Sequence, residues 1–184
     1  MALREALTTL ATELHVLEDS VRGLRATILE DAPEPSHAAV VGLGYPIQDL
    51  VGHLAEATAA VHDGLVAFTS RREVDAALNA VATCQEQVNL AARQLYGELL
   101  AYDRLVELSK LSHERGGAWR SWLRPVRRGL EDCETRVHDL NDALLACWRE
   151  IGERVGTTSV SVQATNIGQQ VTVPGGELVN EGLT

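Results

Sequence analysis

The chain has 184 residues and a mass of 19.9 kDa, which suits one domain or one domain with an appendage. Its 45% hydrophobic and 23% charged content is that of a globular protein and excludes disordered and collagen-like classes. Sixteen basic and 26 acidic residues give a net charge of −10, which argues against general binding to nucleic acid or an anionic membrane.

The first and last helical segments carry the clearest pattern. The spacing predicts a helix over residues 2–30 and another over 118–155, with Pro125 either starting or kinking the second. In both helices apolar residues recur at alternating steps of four and three, which is typical of coiled-coil packing. The stripes are Leu3, Leu7, Leu10, Leu14, Leu17, Val21, Leu24 and Ile28, then Val126, Leu130, Cys133, Val137, Leu140, Leu144, Cys147 and Ile151.

Two further helices are predicted between these. Pro46 suits the first turn of a helix that runs to about residue 69, and a capping box at Ser70–Glu73 starts another near residue 71. This third helix, with Leu78 and Val81 on its stripe, runs to Gly116–Gly117. At about 64 Å it either breaks midway or needs a partner chain. The fold class is all-α: an elongated four-helix coiled-coil-like bundle over residues 1–155.

Residues 156–184 form a second unit of different composition. Residues 155–176 contain no charge, and the alternation around Val160 and Val162, followed by Val171 and Val173, is typical of β-strands. An uncharged strand edge invites pairing. The four valines therefore predict an assembly tail and a homo-oligomer, while an unstructured tail and docking back onto the bundle stay open as alternatives.

Tryptophans and arginines are interleaved near the start of the fourth helix. They predict a patch for an anion, a membrane surface or a partner. The alternative is structural, with tryptophans in the core and arginines reaching outward to solvent. The residues are Trp119, Trp122, Arg120, Arg124, Arg127 and Arg128.

Histidine and carboxylate side chains on two helices suggest a metal site. Glu134 and His138 share one side of the fourth helix, and His53 lies on the second. Together they offer three ligands to Zn²⁺ or a similar divalent ion.

The segment that contains His53 also resembles a known family. Gly44-Tyr45-Pro-Ile-Gln-Asp49-Leu-Val-Gly-His53-Leu-Ala55 is similar to the second-helix motif of DinB-like four-helix bundles, particularly mycothiol-dependent maleylpyruvate isomerases. The resemblance implies that His53 binds a divalent metal, with Glu134 and His138 as the other ligands, and that the metal activates a low-molecular-weight thiol. Tyr45 stands where the family usually has tryptophan.

No P-loop, Gly-x-Gly-x-x-Gly, Gly-x-Ser-x-Gly or His-Glu-x-x-His motif occurs in the chain. We therefore expect a non-catalytic assembly or adaptor protein, without a cofactor, that self-associates or binds a protein partner. The alternative is a DinB-like metal-dependent thiol transferase or isomerase. Cys84, Cys133 and Cys147 form no Cys-x-x-Cys pair, and no 18-residue uncharged apolar run occurs. Buried thiols and a cytoplasmic location are expected.

Overall fold

The computed structural model describes the backbone of residues 3–30, 32, 37–68, 73–111, 116–155, 164–166 and 169–171. It contains four helices: α1 (Leu3–Glu30), α2 (His37–Ala67), α3 (Glu73–Leu111) and α4 (Gly116–Val155). Two short strands follow, β1 (Ala164–Asn166) and β2 (Gln169–Val171). The predicted all-α four-helix bundle is confirmed.

Each helix packs against two others. α1 contacts α2 and α4, and α3 contacts the same two helices. Consecutive helices joined by short connections run antiparallel. In this arrangement α1 lies across the bundle from α3, and α2 lies across from α4. None of the four helices, as far as their residues are described, is long and apolar enough to cross a membrane.

The stripes of α1 and α4 form the centre of the core. All sixteen stripe residues are buried, and Leu10 and Leu14 have no exposed surface. A 3.5-residue period keeps such a stripe on the inner side of a helix over its whole length, because it nearly matches the 3.6 residues of a helical turn. The predicted burial of Leu10, Leu14 and Leu17 is confirmed.

The helix boundaries correct several expectations. α2 begins at His37, nine residues before the predicted start, so that Pro46 lies inside the helix. α4 begins at Gly116, and Pro125 therefore lies in its interior. α3 does not break midway but is continuous over 39 residues. It packs against α4, which has 40 residues and is therefore of similar length. The predicted capping residues Ser70–Arg72 lie outside the described residues.

α2 and α3 approach each other through small side chains. A Cβ atom built on Gly64 would lie 2.6 Å from the Cβ of Ala80, closer than two non-bonded carbon atoms can approach. Glycine is therefore required at this crossing of α2 and α3. Leu78 was expected on the inner stripe of α3 but is 40% exposed, because the neighbouring Ala77 takes the buried position.

β1 and β2 form an antiparallel hairpin with Ala164 opposite Val171 and Asn166 opposite Gln169. β1 lies against α3 and α4, so the hairpin docks on its own bundle. Of the predicted assembly residues, Val171 belongs to β2, while Val160, Val162 and Val173 lie outside the described residues. Their role in assembly stays a prediction.

Candidate functional site

The three predicted metal ligands lie on helices that are not neighbours. His53 is half-buried on α2, and its Nδ1 lies 2.8 Å from Oε1 of Gln87 on α3. Glu134 and His138 are exposed on α4, across the bundle. Within the described ranges, no group of three or more His, Cys, Asp or Glu side chains is placed to hold a metal ion. The structure does not bring the three residues together as a ligand set.

The arginine–tryptophan segment is divided between the core and the surface. Trp122 is buried, and its indole N–H donates to the carbonyl of Thr27 on α1 at 3.1 Å. Arg124 and Arg128 are exposed, and Arg127 is paired with Glu131 at 2.7 Å. The side chains of Trp119 and Arg120 lie outside the described residues. Trp122 therefore anchors α4 to α1, and the predicted anion or partner patch stays a prediction.

A buried carboxyl group on α3 was not predicted from the sequence. Glu98 is only 1% exposed, and its Oε2 has no hydrogen-bond partner among the described residues. Burial raises the pKa of the Glu98 carboxyl to about 8, because loss of water disfavours the charged form. One turn later, the buried Tyr102 hydroxyl donates to the carbonyl of Leu123 at 3.2 Å. The spacing of Leu95, Glu98 and Tyr102, in steps of three and four, is the signal that points to this position.

Two glutamines tie α3 to its neighbours. Gln87 contacts His53 on α2, and the Oε1 of Gln85 accepts a 2.6 Å hydrogen bond from the Trp148 indole of α4. Because these amides satisfy half-buried polar groups on facing helices, they serve to align the bundle.

The three cysteine thiols are buried, as expected. Burial raises the pKa of Cys84, Cys133 and Cys147 to about 12 in each case. Smaller upward contributions come from Cys147 at Cys84, from Asp132 at Cys133 and from Glu150 at Cys147. A thiol that stays protonated at neutral pH is a poor nucleophile and a poor metal ligand. The geometry therefore gives the cysteines a packing role.

The outward side of α3 carries exposed apolar side chains among polar and charged ones. Seven large hydrophobic side chains are exposed among the described residues, and four of them belong to α3: Leu78, Leu90, Tyr96 and Leu100. At 100° per residue, Leu78, Tyr96 and Leu100 point within about 40° of one another. We call the surface formed by Leu78, Ala82, Tyr96 and Leu100, with the charged residues beside them, the α3 outer face. This face was not predicted from the sequence, because Leu78 was expected in the core.

Within the described residues, the fold is a four-helix bundle with exposed apolar side chains grouped on α3. No protein-family model, no curated protein and no solved structure matches the chain.

Proposed function

We propose that the protein is a non-catalytic assembly or adaptor protein and that the α3 outer face is its contact surface. The observation that carries the proposal is the grouping of exposed apolar side chains on one helix. Scattered exposed hydrophobic residues are normal, whereas a group on one face marks a binding surface. Tyr96, which is 49% exposed, and Leu100, which is 45% exposed, lie one turn apart on this face.

The interior chemistry agrees with a binding role. Several groups capable of acid–base or nucleophilic chemistry are held in the core: the three thiols are buried, and the Glu98 carboxyl is 1% exposed. His53 is engaged by Gln87. Side chains that pack or align helices have no access to a substrate, so they favour binding over catalysis as the role of this bundle.

The experiment compares three proteins by light scattering over a concentration series: wild type, Tyr96→Glu/Leu100→Glu, and a control, Leu29→Glu/Val66→Glu. The control introduces the same charges at exposed apolar positions of α1 and α2. We expect wild type and control to rise above the 19.9 kDa of one chain as concentration increases, and the α3 variant to remain at that mass. Unchanged helical circular dichroism shows that the variant is folded.

Two results would contradict the proposal that this face drives assembly. One is a wild-type mass of a single chain throughout the series. The other is an α3 variant that assembles as the wild type does.

A further inference from the structure

Four charged residues form a single row beside the apolar side chains of the α3 outer face. Asp75 and Glu86 occupy the first half of the helix, and Arg93 and Arg104 the second half. They are separated by 11, 7 and 11 residues, each close to a whole number of turns, so they point within about 20° of one another. All four are exposed, and none is ion-paired with another described residue.

The order of these charges suits pairing with a second, antiparallel copy. When two identical helices pair antiparallel about a two-fold axis, residues equidistant from the axis face each other. The midpoint between Glu86 and Arg93 lies between Asn89 and Leu90, and the midpoint between Asp75 and Arg104 is the same point. One register therefore places both acidic residues opposite basic residues.

The apolar residues fit the same register. The midpoints of Leu78 and Leu100 and of Ala82 and Tyr96 both fall at Asn89, half a residue from the charge midpoint. Leucine then faces leucine, and the large Tyr96 ring faces the small Ala82. Large side chains opposite small ones allow two helices to pack closely.

We propose that two copies of the chain pair antiparallel through their α3 outer faces, with Glu86 and Asp75 facing the partner subunit's Arg93 and the partner subunit's Arg104. This rests on the proposed function and specifies its partner. A parallel pair in the same position would place each charge against its own kind. Each copy carries a net charge of −10, so association between them requires such local compensation.

Charge reversal at the inner pair tests the register. Glu86→Arg and Arg93→Glu, made separately, each place like charges together twice because the interface is two-fold symmetric. We expect each to raise the dimer dissociation constant by about 10-fold or more, measured by sedimentation velocity. The double variant Glu86→Arg/Arg93→Glu restores opposite charges, and we expect it to dimerise within about 3-fold of wild type. An equimolar mixture of the two single variants should form heterodimers for the same reason.

The controls separate pairing from net charge. Glu86→Arg changes the net charge from −10 to −8 and so reduces the general repulsion between two copies. Net charge alone would therefore strengthen association, whereas the proposed register predicts that this substitution weakens it. Glu56→Arg on α2 makes the same change at an exposed position outside the face, and Arg25→Glu on α1 is the matched control for Arg93→Glu. We expect the dimer dissociation constant of each control to lie within about 2-fold of the wild-type value.

A double variant as weak as the single variants would overturn the antiparallel register. If Tyr96→Glu/Leu100→Glu still dissociates the protein in that case, the contact surface stands and only its geometry is wrong. If the single variants match their controls, the charged row lies outside the interface and the proposal is wrong.

Discussion

The inner faces of α1 and α4 and the interface between α2 and α3 are packed in different ways. α1 and α4 present mainly leucine, valine and isoleucine at heptad spacing, all buried. On α2 and α3 more of the buried side chains are small. They include the following alanines: Ala57, Ala77, Ala80, Ala91 and Ala92. Buried oxygens without a described hydrogen-bond partner, on Thr58, Asn89 and Glu98, also belong to α2 and α3.

The two sides of the bundle differ in the kind of substitution that they tolerate. A core of large aliphatic side chains loses contacts and gains a cavity when a side chain is shortened. An interface of alanine and glycine has no room for an added atom, and its polar groups respond to pH. The two sides should therefore fail under different perturbations.

Shortening a leucine of α1 is expected to have the largest effect. Leu14 is fully buried, so Leu14→Ala should lower the free energy of unfolding by about 2–5 kcal/mol through lost contacts and a residual cavity. Urea unfolding followed by circular dichroism measures the change. The control Val66→Ala, at an exposed position on α2, should change stability by less than about 0.5 kcal/mol. An unmoved midpoint for Leu14→Ala would show that α1 is not packed in this core.

A change at Glu98 tests the polar character of α3. The pKa of the Glu98 carboxyl is raised from 4.5 to about 8 by burial, so the folded protein holds a proton that the unfolded chain releases. Stability contributed by this group is present below about pH 4.5 and is lost as the pH rises toward 8. Glu98→Gln removes this dependence, so the variant should gain stability relative to wild type by about 1.4 kcal/mol for each pH unit between 4.5 and 8.

The measurement is the free energy of unfolding of both proteins between pH 5 and about pH 9. The difference between the two curves should grow with pH and level off above the pKa of Glu98. Glu134→Gln, at an exposed position on α4, is the control and should follow wild type. Parallel curves for wild type and Glu98→Gln would contradict a buried, proton-holding carboxyl.

The smallest effect is expected from adding one methyl group between α2 and α3. Gly64→Ala improves helix propensity by about 1 kcal/mol, yet its Cβ would lie 2.6 Å from that of Ala80. Overpacking should dominate and lower the free energy of unfolding by about 1–3 kcal/mol. Gly52→Ala on the same helix meets nothing within 4 Å and should stabilise by about 0.5–1 kcal/mol. A Gly64→Ala variant that melts at a higher temperature than wild type, as expected for Gly52→Ala, would contradict the close approach of α2 and α3.

The same contrast explains how much of the fold was predictable. Leucines at heptad spacing give a strong hydrophobic signal, and the stripes of α1 and α4 were therefore predicted residue by residue. On α3 the buried row runs through Ala77, Val81, Cys84 and Val88, and an alanine gives too weak a hydrophobic signal to displace Leu78 from the prediction. At α2, Gly44 and Pro46 indicated a helix start, but propensity is a weak guide that tertiary context overrides.

The candidate sites were less predictable because they depend on which helices are neighbours. The spacing of Glu134 and His138 predicts that they share one side of α4, and both are exposed on that helix. Nothing in the spacing shows that α2, with His53, lies across the bundle from α4. The α3 outer face is likewise defined only once the inner sides of the helices are known.

The three buried thiols can report on local opening of the bundle. An alkylating reagent reacts with the thiolate, so Cys84 on α3 and Cys133 and Cys147 on α4 can be modified only when their helices leave the bundle. Cys133 and Cys147 lie 14 residues apart, about 21 Å along α4. The order in which the three sites acquire label therefore follows the order in which the middle of α4, its C-terminal part and the segment of α3 around Cys84 leave the bundle, without any introduced probe.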